Sequence, residues 1–165
     1  MKICLNHCWL SRISERDWIG FHDLFSNHLV REMNGADTDI KASFERYLSN
    51  DASFSVFVQD RMVGTVSLFD TSLSKAVRSL STRELTYALM PDQWGKGIMH
   101  EAVSFICNQY AKELGLDVIF AGSFLGNERS SSVLRNQGFR LVFIRYGEHE
   151  EKIFVLAPEL WKHTV

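Results

Sequence analysis

Residues 87–102 read Tyr-Ala-Leu-Met-Pro-Asp-Gln-Trp-Gly-Lys-Gly-Ile-Met-His-Glu-Ala. The first part closes a β-rich run, Arg83 to Met90, and Pro91 stops it, because proline has no N–H to give a ladder. Beyond the glycines, Ile98 to Leu114 predicts a helix. Met99, Ala102, Val103, Ile106, Tyr110 and Leu114 recur at helical spacing as its inner stripe, and Gly115 is its C-terminal stop. The stretch is therefore a strand, a glycine turn and a helix N-terminus. Gly95 and Gly97 remove side chains where the backbone turns sharply. The N–H groups of the helix's first turn point outward, and the helix dipole favours an anion there. Lys96 adds a positive charge. A phosphate or pyrophosphate suits such a turn, and a plain tight turn is the other reading. Two nucleotide motifs fail: Lys96 is not followed by Ser or Thr, as a P-loop requires, and position 100 is His where a dinucleotide fingerprint has its third glycine.

Working outward, residues 3–10 are apolar and partly alternating, which predicts a first strand. Trp18, Phe21, Leu24, Phe25, Leu29 and Met33 mark one face of a helix from Ser14 to Met33, ended by Asn34-Gly35. A shorter helix is expected from Asp39 to Leu48, with Ile40, Phe44, Tyr47 and Leu48 inward. Phe54–Val58 and Met62–Phe69 read as a hairpin around residues 59–61. Gly64 inside its second strand signals a bulge or a close backbone approach. The serine-rich stretch Asp70–Ser81 reads as a loop. Downstream, Asp117–Phe120 is a short buried strand. Asn127 opens a helix through Val133 and Leu134 that Gly138 closes, and Phe139–Arg145 with Lys152–Leu156 form a last strand pair around Gly147. The expected fold is mixed α/β (α+β): one domain over residues 1–165, with a mostly antiparallel twisted sheet flanked by helices.

The 165 residues suffice to bury a core without disulfides or metal. A net charge of -2 gives no basic field to gather nucleic acid. Cys4, Cys8 and Cys107 are an odd, scattered set with no CxxC pair, suited to a reducing cytoplasm rather than to a disulfide framework or zinc site. The N-terminus lacks the sustained apolar core of a signal peptide, and no run approaches the ~20 apolar residues of a membrane span. The expectation is a cytoplasmic protein with no metal, nucleic-acid or membrane partner.

A second block stands at Asn127, Ser130, Val133, Leu134, Gly138 and Phe139. With Tyr87, Leu89, Pro91, Trp94–Gly97, Glu101 and Ala102 it resembles the GCN5-related N-acetyltransferase (GNAT) superfamily. The nearest branch is the one that acetylates ribosomal-protein N-termini at alanine or serine. In that branch Tyr-x-Leu-x-Pro runs into Trp-Gly-Lys-Gly and a helix bearing Glu-Ala, followed downstream by Asn-x-x-Ser and Gly-Phe. The likeness covers about residues 54–145 well. It implies a GNAT-like fold and an acetyl-CoA-dependent N-acetyltransferase that moves acetyl directly to a primary amine. The acceptor is a protein or peptide N-terminus, or a small amine such as a polyamine, amino acid or antibiotic. A CoA-binding module without turnover is the non-enzymatic alternative. Monomer and homodimer are both compatible.

The resemblance also implies roles residue by residue. The backbone of Ala88, Leu89 and Met90 would pair with the pantetheine arm. The amides of Trp94, Gly95, Lys96, Gly97, Ile98 and Met99 would cradle the pyrophosphate. The Asn127 side chain would hydrogen-bond the cofactor, and Ser130 would lie near the thioester sulfur. Met99 departs from the family, which has Gly or Ala there. Amine acylation needs a neutral amine, a stabilised oxyanion and a protonated leaving thiolate. Glu84 is the candidate base, directly or through water. The alternative is a solvated carboxylate, or one paired in the neighbourhood of Arg83. A backbone N–H near Leu89 is the candidate oxyanion donor. Ser130 is the candidate acid, against a helix-capping role. Tyr110 and Tyr146 rank behind it. HExxH is absent because position 104 is Ser, so Glu101 reads as a first-turn carboxylate and Cys107 as packing.

Overall fold

A computed structural model describes residues 1–35 and 38–158. The strands are β1 (Lys2–Cys4), β2 (Trp9–Arg12), β3 (Ser53–Val58), β4 (Arg61–Phe69), β5 (Thr82–Leu89), β6 (Val118–Phe124), β7 (Arg140–Arg145) and β8 (Glu151–Leu156). The helices are α1 (Trp18–Ser26), α2 (His28–Asn34), α3 (Ile40–Ser49), α4 (Ile98–Phe105), α5 (Ala111–Glu113) and α6 (Glu128–Asn136). The sheet runs β1-β2-β3-β4-β5-β6-β8-β7. Strands β5 and β6 pair in parallel; β1–β2, β2–β3, β3–β4, β6–β8 and β7–β8 pair antiparallel. This is the expected mixed, mostly antiparallel architecture.

Contacts divide the chain into two compact units, residues 1–67 with 86–103, and residues 68–85 with 104–165. In the first, α1 is the hub of an aromatic core. Phe21 stands 4.5 Å from Phe25, 5.0 Å from Phe44 and 5.0 Å from Tyr47, ring centre to ring centre. Leu24 and Val30 pack on Ala88 of β5. In the second, Val118, Phe120, Ile153 and Ala157 form the core, covered by Leu73, Val77 and Leu80.

Five local expectations need correction. The first strand is two, β1 and β2, because the chain turns at residues 5–8, where Leu5 N–H donates to the Cys8 carbonyl. The helix from Ser14 to Met33 is broken at Asn27, whose side chain accepts from the N–H groups of Leu29 and Val30 and so starts α2 afresh. The loop Asp70–Ser81 contains a 3-10 segment, Ser72–Val77, started by the Thr71 hydroxyl and packed on the core through the half-buried Leu73 and Val77. The long helix from Ile98 carries a π segment at Ile106–Tyr110. The extra residue moves the buried stripe to Cys107 and Ala111, and Tyr110 is only half-buried. Strand β6 extends to Phe124, beyond the expected Phe120, because β8 pairs with it as far as Glu151.

Gly64 shows both features read from it. The β3–β4 register slips between Val56 and Phe57, and a Cβ on Gly64 would stand 2.4 Å from the Ala88 carbonyl oxygen. That oxygen belongs to backbone and cannot rotate away. Gly64→Ala is expected to cost about 2–3 kcal/mol, visible as a drop of about 4–10 °C in a thermal melt.

Candidate acyl-transfer site

Strand β5, the turn after it and helix α4 supply the first set of groups. Met90 N–H donates to the Val63 carbonyl at 2.8 Å, so its donor is committed to β4. Alternation along a strand then turns Ala88 toward β4 as well and Leu89 N–H toward the opposite edge. Of the three residues expected to pair with a pantetheine arm, only Leu89 presents its N–H on that side. Its carbonyl accepts the Trp94 indole N–H at 2.9 Å, which ties the turn back to the strand end. The β5–β6 register runs from Thr82 to Leu85, whereas β5 continues to Leu89.

Pro91–Gln93 forms one 3-10 turn, and Gly95 and Gly97 follow at φ 74° and 77°. A Cβ at either glycine would meet no protein atom within 4 Å. The space beside the turn at both glycines is therefore open. Helix α4 begins with Glu101 N–H donating to the Gly97 carbonyl, so the N–H groups of Ile98 and Met99 have no partner within the helix. Lys96 is exposed, with Nζ 3.5 Å from Gln93 Oε1. The Ile98 and Met99 side chains are buried at 2% and 6% exposure, so Met99 points into the core and its length does not obstruct the turn.

Glu101 does more than face a helix dipole. Its carboxylate accepts from His7 N–H at 2.9 Å and stands 2.5 Å from His7 Nδ1, which fastens the β1–β2 turn to α4. Burial alone raises its pKa, but hydrogen bonds from the His7 backbone and ring and from Asn6 pull it below the usual 4.5. A lowered folded-state pKa gives stability that is present above about 4.5 and is lost as pH falls through the folded value. Glu101→Gln is expected to cost about 1–2 kcal/mol at neutral pH. That penalty should shrink as denaturation curves are taken below pH 4.5; a pH-independent penalty would contradict the assignment.

The second set of groups lies on β5, β6, α6, β7 and β8. Asn127 Oδ1 accepts from Ser130 N–H at 3.1 Å, so Asn127 is the cap of α6 and Ser130 supplies the capped donor. The buried serine of α6 is Ser131, whose hydroxyl lies 3.1 Å from that of Ser123, and Ser123 in turn donates to the Asn127 carbonyl. Glu84 takes a hydrogen bond from the Thr71 hydroxyl at 2.7 Å and lies 4.0 Å from Arg145 Nη2. Arg83 is on the other face of the strand, with its guanidinium on the Leu68 carbonyl and Asp70, so the anticipated Arg83 neighbourhood is not Glu84's partner. Tyr146 is 74% exposed. Burial pushes the Cys107 thiol up to about 12, and burial followed by the Glu101 charge pushes Cys8 up to about 11, so neither is a nucleophile at neutral pH. Thr71, Arg145, Glu151 and the Trp94 indole were not foreseen; only Trp94, inside the quoted motif, carried a signal.

A strand ending at a proline, a glycine turn and a helix N-terminus on a sheet of this order define the fold of an N-acetyltransferase. The chain belongs to the acetyltransferase (GNAT) domain family, which matches residues 7–140. It is 26% identical over 145 residues to YoaA of Bacillus subtilis (strain 168), an uncharacterised N-acetyltransferase, covering 79% of this chain and 78% of that one. Its fold is that of the ribosomal-protein-S5-alanine acetyltransferase of Vibrio fischeri, with a TM-score of 0.79, 19% identity and 98% of each chain covered. A ribosomal L7/L12 α-N-protein acetyltransferase solved with coenzyme A also shares it, at a TM-score of 0.73 and 16% identity, with 95% of this chain and 98% of that one covered. Among the described residues no helix is long and apolar enough to cross a membrane, and no group of three His, Cys, Asp or Glu is placed to hold a metal ion.

Proposed function

We propose that the chain, as one N-acetyltransferase domain over residues 1–165, transfers acetyl from acetyl-CoA to the N-terminal amine of a protein or peptide. The observation that carries the cofactor reading is the open turn at Gly95 and Gly97. Its two glycines stand at positive φ beside open space, and the leading N–H groups of α4 have no partner within the helix, as a pyrophosphate cradle requires. Trp94 to Met99 supply the amides, and Lys96 supplies charge. Leu89 N–H, turned away from β4, would pair with the pantetheine arm. The Asn127 amide nitrogen is left for the cofactor, because its oxygen caps α6. The acceptor reading rests on the fold shared with the two ribosomal-protein acetyltransferases. A cytoplasmic setting fits the three unpaired thiols.

When bound, acetyl-CoA supplies an activated acetyl group as its thioester. The protein's own part is proton handling and positioning. Glu84 takes a proton from the incoming ammonium, directly or through water, and the amine nitrogen then bonds the acetyl carbon as the C–S bond breaks. Leu89 N–H donates to the acetyl oxygen as it gains charge. The Ser130 hydroxyl donates a proton toward the departing sulfur and takes in its place the second proton that the amine nitrogen loses as the amide forms.

Thiol release from acetyl-CoA, measured with a panel of peptides ending in alanine or serine alongside polyamines and free amino acids, tests the reading. Release with peptides, and the mass of one added acetyl group on the peptide N-terminus, are expected. Release only with small amines would overturn the acceptor assignment. Coenzyme A binding without any release would make the chain a binding module.

A further inference from the structure

Glu84 is held from two sides. Its Oε2 accepts the Thr71 hydroxyl at 2.7 Å, whereas its Oε1 faces Arg145 Nη2 at 4.0 Å. That distance is too long for a hydrogen bond, so Oε1 keeps a lone pair for an incoming proton while a positive charge stands beside it. Arg145 is itself clamped: Nη2 and Nε donate to Glu151 Oε2 at 2.6 and 3.0 Å. Glu151 in turn lies over bare backbone. A Cβ on Gly122 would stand 2.9 Å from Glu151 Oε1.

Strand register puts these groups on one face. Glu84 is opposite Phe120, two residues before Gly122 on β6; Gly122 is opposite Ile153, and Glu151 is opposite both Phe124 and Arg145. Strands β6 and β8 lie between β5 and β7, so about 14 Å of sheet separates the two backbones. Two long side chains close that span over a strand that bears glycine at 122. Charged groups on this face are Arg145, which faces Glu84, Glu151 behind it, and Arg140, which the register sets across Val155 and Phe120 from Glu84; Phe120 and the 3-10 segment contribute apolar side chains and Thr71. Glu84, Arg145 and Glu151 are 21%, 39% and 23% exposed. Ion pairs this open contribute little to stability. Holding a long arginine in one rotamer at this place therefore does little for the fold, and its effect falls on the carboxylate it faces.

We propose that Arg145 is a positioning residue for Glu84, aimed by Glu151 over the side-chain-free backbone of Gly122. The inference rests on the reading of Glu84 as the base. With Arg145 gone, Thr71 alone holds the carboxylate, which swings about its remaining hydrogen bond and presents Oε1 to the amine less often.

A double-mutant cycle on the full chain tests it, with Glu84→Gln and Arg145→Met read by thiol release on the best peptide acceptor. Arg145→Met is expected to lower kcat about tenfold, with the acetyl-CoA KM within about twofold and the melting temperature nearly unchanged. In the Glu84→Gln background the same change should cost less than about twofold, because the group it positions is already gone. Arg145→Lys, which keeps the charge, should recover most of the loss. Gly122→Ala, which pushes Glu151 aside without touching either partner, should lower kcat about threefold, by the same misplacement. An equal loss from Arg145→Met in both backgrounds, or no loss in either, would overturn the proposal. If Arg145→Met folds poorly, the lysine and Gly122→Ala variants decide it by the same comparison. A failure of the underlying reading looks different: Glu84→Gln would then run at the unaltered rate.

Discussion

Glu84→Gln is expected to lower the rate of acetyl transfer about a hundredfold while coenzyme A affinity stays within about twofold. The substitution keeps the size of the side chain. The amide oxygen can still accept the Thr71 hydroxyl, as Glu84 Oε2 does at 2.7 Å. The amide nitrogen then occupies the place of Oε1, beside Arg145, and has no lone pair for a proton. A residual rate survives, since alignment of the two substrates does not depend on the base. Single-turnover thiol release at saturating acetyl-CoA isolates the chemical step, and calorimetry with coenzyme A reads binding separately. An unchanged single-turnover rate would remove Glu84 from the reaction, whatever the steady-state KM does.

The second large effect belongs to the glycine turn. Changing Gly95 and Gly97 together to alanine asks two residues to hold φ of 74° and 77°. An L-residue in the left-handed region costs about 1–2 kcal/mol, and the added methyl groups fill the open cradle. Coenzyme A should bind about 10- to 100-fold more weakly, the conversion of about 1.4–2.8 kcal/mol of lost binding. Neither methyl group meets a protein atom, so the circular dichroism spectrum should be unchanged. Pantetheine, which has the arm but no pyrophosphate, is the discriminating ligand. Its affinity should not move, and equal losses for both ligands would show that the turn supports the strand end rather than the phosphates.

The parts of the molecule that were legible in the sequence are those written locally. Pro91, Gly95, Gly97, Gly115 and Gly138 punctuate the chain with residues whose backbone limits are their own, and the four glycines all take positive φ. The cap at Asn127 was legible for the same reason. The break at Asn27 was hidden because Phe25 and Leu29 continue a helical spacing straight across it. The 3-10 segment was hidden by composition: Leu73, Val77 and Leu80 recur at four and three among serines and charges, and their burial comes from partners on β6 and β8. The electrostatic part of the site was least legible. Glu84 meets Arg145 only because β5, β6, β8 and β7 lie side by side in an order the chain does not follow. No spacing rule links residues brought together by a crossover. The same holds for His7 and Glu101, joined by folding alone.

Strand β7 stands at one border of the sheet, and Leu141, Val142, Phe143 and Ile144 there are 37–52% exposed. Four greasy neighbours on a ladder with no partner strand among the described residues are what fibrils recruit. The register against β8 slips between Leu141 and Phe143, with Val142 unpaired. That slip interrupts the row of outward amides and carbonyls halfway along a six-residue strand. An incoming strand can match one half of it or the other, but not both in phase. The sheet thus carries its own terminator, in the geometry of one residue rather than in charge.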